Sequence, residues 1–135
     1  MANAIYDKYK ERAMGVGLDL TALDVKVVLV DLADYTFSQA HEFLSDVPAA
    51  ARVATSANLS GKSVTNGVFD AADTVFTAVS GDQSEALILY QDTAVAGTSR
   101  LITFLDTGIV NIPITPAGVD IPVQWDNGAN KIFKL

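Results

Sequence analysis

Apolar residues occupy both alternating faces of segment 25–32, VKVVLVDL: Val25, Val27 and Leu29 fall on one side, Val28, Val30 and Leu32 on the other. A strand apolar on both faces is covered on both, which predicts a central place in a sheet. Segment 85–91 repeats the pattern, with Ala86, Ile88 and Tyr90 opposing Leu87 and Leu89. Further strands are predicted at 52–54, 62–70, 73–79 and 99–106, separated by turn clusters at 70–73, 80–83 and 93–98. Pro116 and Gly118 stand where a type I turn favours them, and Pro122, which cannot donate to a ladder, marks an edge strand or a bulge. In the last segment, 118–135, two apolar runs flank Asp126-Asn127-Gly128-Ala129-Asn130. Asn-Gly supplies positive φ, so the segment reads as a closing β-hairpin whose final residues, Ile132, Phe133 and Leu135, pack on the core or a partner.

Two stretches have helical spacing. Residues 1–14 form a short helix with Asn3 as cap, Gly15 or Gly17 as stop, and Ile5, Tyr9 and Ala13 on one face beside Tyr6. At this length the helix must lie on something. It packs on its own sheet, or its aromatic face and basic rim touch a neighbouring subunit. Residues 38–47 place Phe43, Leu44 and Val47 behind a Ser38 cap and predict a second short helix ending at Pro48. Residues 18–23 read as a connector. The fold class is therefore mainly β: an antiparallel β-sandwich or barrel with a short N-terminal helix and one further short helix. One domain spans 1–135, with 25–135 as its β-rich body, and there is no internal repeat or linker.

A chain of 135 residues, half of them hydrophobic, fits one core and excludes disorder. It has no cysteine, so disulfides and thiolate metal sites are out. The opening MANAIYDKYKERAMG has no apolar signal core and no run is long enough to cross a bilayer, which predicts synthesis in the cytoplasm and no membrane partner. Charge is uneven. Residues 1–12 carry three bases against two acids, residues 131–135 two bases and no acid, and the stretch between fourteen acids against four bases. An acidic body repels phosphates, so nucleic-acid binding is not expected. The asymmetry has two readings: ordinary solubility, or two basic ends that dock on an acidic partner surface.

No catalytic constellation is visible. His41 is the lone histidine, beside Glu42, without a GxSxG elbow, and reads as a solvated surface residue. The aspartates fall singly at strand ends as turn formers. Asp31 with Asp34, or Asp70 with Asp73, supplies oxygens that Ca²⁺ accepts, but no EF-hand spacing supports a site, and no metal or cofactor is expected. Gly15-x-Gly17 lacks the strand and later glycine of a dinucleotide loop, and the Asn58-Leu59-Ser60 sequon lacks a secretory signal. Trp125, Tyr90 and Phe104 could line a sugar-binding face, although packing is the commoner use of strand aromatics.

Three blocks, MANAIYDKYKE, VFDAADTVFTAVSGDQSEALILYQDT and VQWDNGANKIFKL, together resemble a family of small virion structural proteins of tailed bacteriophages. The resemblance covers most of the chain, is distinctive as sequence and contains no mechanistic motif. It implies a non-enzymatic protein assembled into the phage particle after synthesis in the host cytoplasm. The first expectation is a capsid decoration (cement) protein on the outer shell, a homo-oligomer with a trimer as the candidate order. Its partner would be the major capsid protein or another virion protein. The alternative is a tail or fibre-attachment component, and a carbohydrate-binding module ranks behind both. The contact residues expected on this reading are Tyr6, Lys8, Tyr9, Lys10, Phe133 and Leu135.

Overall fold

The computed structural model describes residues 3–109 and 111–135, so Met1 and Ala2 of the predicted helix and Val110 lie outside the described residues. The chain is mainly β with antiparallel sheets and one α-helix. In order the elements are β1 (Ala4–Ile5), α1 (Asp7–Gly15), β2 (Val25–Val30), β3 (Arg52–Thr55), β4 (Ser63–Thr65), β5 (Val68–Asp70), β6 (Thr74–Val79), β7 (Ala86–Gln91), β8 (Arg100–Leu105), β9 (Val119–Val123) and β10 (Phe133–Lys134), with single 3₁₀ turns at Leu44–Asp46 and Ala49–Ala51.

The two strands that read as apolar on both faces are neighbours. β2 and β7 pair antiparallel without a slip from Val25↔Gln91 to Val30↔Ala86, at the middle of a five-stranded sheet of order β1-β8-β7-β2-β3. Val25, Val27, Val28, Leu29 and Val30 are all fully buried, as are Ala86 to Leu89. The sheet is open, with β1 and β3 as edges, so its strands do not close into a barrel. Its cover comes from α1, the 35–47 segment, a three-stranded sheet β10-β5-β4 and a two-stranded sheet β6-β9. Phe37 stacks on Phe104 of β8 at 4.6 Å and tilts against Tyr6 at 5.3 Å. β9, the strand with Pro122, is an edge as predicted, and its Asp120 carboxylate accepts the Ala78 N–H where β6 bulges.

Four local expectations are corrected. The helix starts at Asp7 rather than behind Asn3, because Asn3 is occupied elsewhere: its Oδ1 accepts the N–H groups of Asp106 (2.7 Å) and Thr107 (3.0 Å), and β8 draws Ala4–Ile5 into a strand. The helix does end at Gly15, with Gly17 at φ +73°. No helix spans 38–47. Ser38 makes a local turn to the Ala40 N–H, and a single 3₁₀ turn forms around Asp46, whose carboxylate accepts the N–H groups of Glu42 and Phe43.

Segment 62–70 is two strands, not one. Asn66-Gly67, with φ +53° and +79°, turns β4 back onto β5. The closing hairpin does not form around the other Asn-Gly. Trp125 is tied to the 72–73 corner, its N–H donating to Asp73 Oδ1 and its Nε1–H to the Ala72 carbonyl, both at 3.0 Å. β9 therefore pairs with β6, and β10 pairs with β5. Asp126 makes a local turn to the Gly128 N–H, and the left-handed residue in this segment is Lys131, at φ +47°.

The two Asn-Gly pairs should respond differently to substitution. Gly67→Ala is expected to cost about 1–2 kcal/mol, since its φ is left-handed and an added Cβ would stand 3.3 Å from the Leu135 carbonyl oxygen. Asn127→Ala should stay within about 0.5 kcal/mol of the native chain in urea unfolding.

Asp46 gives a pH-dependent counterpart. Burial alone would raise its carboxyl, but the Glu42 and Phe43 N–H donors outweigh it and hold the group below the usual aspartate range. A carboxyl lowered in the folded state contributes stability above the unfolded aspartate value, near pH 4, and loses it as pH falls through the folded value. Asp46→Ala should cost about 0.5–2 kcal/mol at neutral pH and flatten the acid limb of a stability–pH profile.

Candidate functional site

The two ends of the chain converge on one side of the molecule. α1 packs through Tyr9, whose ring meets Phe133 of β10 edge-on at 6.1 Å, and Phe133 in turn packs on Phe69 of β5 at 5.5 Å. Backbone bonds fasten the C-terminal strand to the β4–β5 hairpin: Ile132 N–H to the Phe69 carbonyl at 3.2 Å and Leu135 N–H to the Gly67 carbonyl at 2.9 Å. Between α1 and the hairpin lies an apolar groove of about 260 Å³ lined by Ala13, Leu18, Leu20, Val64, Phe69 and Leu135 among others. Its margin is unusually apolar for a surface. Val64 and Leu135 are more than half exposed, as are Met14 and Val16, which neighbour the lining residues Ala13 and Gly17 in sequence. On the other side of β10 a second cleft holds Lys10, Lys131 and Lys134.

The six predicted contact residues divide. Tyr6 is fully buried and Tyr9 and Phe133 nearly so, which settles the helix's aromatic face as packing within the chain. Tyr9→Asp would therefore disrupt the packing of α1 on β10. Lys8, Lys10 and Leu135 are accessible, the two lysines in exposed pairs with Glu11 (3.2 Å) and Asp7 (3.3 Å) that contribute little. Met14, Val16 and Val64 were not singled out from the sequence. Met14 and Val16 sit where the helix ends, and Val64 comes opposite Phe69 only through the β4–β5 turn.

His41 is also corrected. It is half-buried rather than solvated, and its Nδ1 lies 2.8 Å from the Tyr35 hydroxyl, which lies 3.0 Å from that of Tyr6. With Tyr6 donating to Tyr35 and Tyr35 to His41 Nδ1, both phenolic protons have acceptors. Burial and then the bond to Tyr35 push the Tyr6 phenol up. Burial also raises Tyr35, against the bond it accepts from Tyr6. Neither phenol is an activated nucleophile. The chain of hydroxyls pins the 35–41 loop to the start of α1.

Trp125, Tyr90 and Phe104 are all buried, so none presents a ring face to a sugar. Asp73 Oδ1 accepts the Trp125 N–H, and Asp70 and Asp73 are in no cluster of three possible ligands among the described residues. Asp31 and Asp34 do come together, joined by Asp82, with carboxylate oxygens within 4.8 Å of one another. Asp31 is buried and its Oδ1 accepts the Ala33 N–H, while Asp34 and Asp82 are exposed. Three carboxylates would fill at most half of the six to eight oxygen positions about Ca²⁺ if each gave one atom. Among the described residues no helix is long and apolar enough to cross a membrane. No protein-family model matches the chain, and no curated protein is significantly similar to it.

Tyrosine-to-phenylalanine substitutions test the hydroxyl chain. Tyr6→Phe removes an end donor and should cost about 1 kcal/mol, whereas Tyr35→Phe strands the buried Tyr6 hydroxyl and should cost about 1–3 kcal/mol in urea unfolding.

Proposed function

We propose that the protein is a non-enzymatic structural component of a tailed-bacteriophage particle, a capsid decoration protein that docks on the outer shell through its converged chain ends. The observation that carries this reading is the apolar groove between α1 and the β4–β5 hairpin, with Met14, Val16, Val64 and Leu135 exposed at or beside it. Contiguous exposed apolar surface with a polar surround marks a protein-binding face. The rest of the surface supports an outward orientation, since an acidic body suits solvent and disfavours a DNA-lined interior. Binding only to the assembled shell would stabilise that state by mass action. The sequence resemblance supplies the particle, the major capsid protein or another virion protein as partner, and a homo-oligomer, with a trimer as the candidate.

Copy number in purified particles tests the assignment. A ratio near parity with the major shell protein is expected, a few per cent or less would place the chain in the tail, and absence would overturn the virion reading. The docking face is tested by Met14→Gln combined with Val64→Thr, which replaces only exposed side chains and keeps helix and strand formers in place. Binding to stripped particles in a sedimentation assay should fall at least about tenfold, with unchanged circular dichroism.

A further inference from the structure

The cleft on the other side of β10 has a different chemistry. It encloses about 560 Å³ and is lined by two strand edges, β1 and β10, together with Lys10, Lys131 and Lys134. β1 pairs only with β8 and β10 only with β5, so the two edges face the cleft without pairing with each other. Lys131 is half-buried and held at φ +47°, a conformation non-glycine residues rarely adopt, and it lines the same cleft as Lys134 three residues on; both also border a neighbouring cavity that holds Asp70. Among the described residues Lys131 and Lys134 have no ion pair, and Lys10 has only the exposed partner Asp7. The acid in the lining, Asp126, is turned to the Gly128 N–H.

We propose that this cleft binds an extended acidic polypeptide segment of a partner protein. Three lysines provide the charge complement, and the free edge of β10 provides what a free anion would not use, backbone groups that can extend a sheet by one strand. On the β1 side the Ile5 carbonyl already accepts the Gln39 Nε2–H. A nucleic acid fits less well, because the cleft offers only three lysines on a chain of net charge −7, and a phosphate backbone carries its charge along its whole length. The inference adds partner chemistry to the docking reading, and it is read in solution without particles, so the two can fail separately.

The test is fluorescence anisotropy of a labelled oligoglutamate peptide titrated with the full chain at low salt, with an oligothymidylate of matching charge as comparator. Saturable binding to the peptide, weaker binding to the oligonucleotide, and loss on raising salt are expected. Lys134→Glu should weaken peptide binding at least about tenfold. Lys8→Glu makes the same charge change outside the cleft and should alter binding little. Three results would overturn the proposal: no saturable peptide binding, which leaves the lysines as guards of two strand edges; equal weakening by both variants, which makes the effect one of net charge; or tighter binding of the oligonucleotide.

Discussion

Everything in this fold depends on covering β2 from both sides. Five of its six side chains, Val25 and Val27 to Val30, lose all contact with solvent, and each is worth about 1.5–3 kcal/mol when fully buried. β7 carries the same demand, and pairing it with β2 places two such strands at the sheet centre. The remaining elements are then needed on both faces. This explains why an α-helix of only nine residues and strands of two or three residues persist: none is stable alone, and each gains stability from the apolar surface it covers.

The central sheet was legible because its signal is local. Apolar residues on both faces of a six-residue run identify β2 and β7 without reference to any partner, and Pro122 marks β9 as an edge by its missing N–H. Two of the four misreadings arise where a long-range partner overrides a local preference. Two Asn-Gly pairs have the same turn chemistry, yet only Asn66-Gly67 makes a hairpin. Near Asn127-Gly128 the Trp125 bonds to residues 72 and 73, more than fifty positions away, direct the preceding strand to β6. Asn3 is a good cap by type, but the amides it meets are at 106 and 107. At 42–46 the deciding group was local, the Asp46 carboxylate, and a Ser38 cap was the more familiar pattern.

The candidate surface was legible only in part for the same reason. The charge excess of both termini is visible in the sequence, and the fold does bring those termini together through Tyr9, Phe133 and Phe69. Which of their residues reach solvent was not visible. Aromatic side chains at the ends turned out to be the adhesive between α1, β10 and β5, and the accessible apolar residues are the aliphatic ones around them. Tyr6, Tyr35 and His41 show the converse. Residues that looked like surface chemistry form a buried chain whose function is to hold a loop to a helix.

The gap between β1 and β10 can be understood from the cost of closing it. Pairing these edges would join the five- and three-stranded sheets into one continuous surface, yet the left-handed turn at Lys131 sends β10 along β5 instead. Lysines on both sides of the gap then repel one another and any basic edge that approaches, which is how exposed edges are commonly protected from indiscriminate pairing. The same charges lower the energy of an acidic strand entering the gap. Specificity is a difference between wanted and unwanted partners, and here one set of side chains acts on both terms. The apolar groove has no such discrimination by itself, because any exposed aliphatic surface would satisfy it. A partner docked as proposed on both the groove and the lysine cleft would have to match two chemically different surfaces that share Phe133, and that double requirement would restrict it to a single geometry.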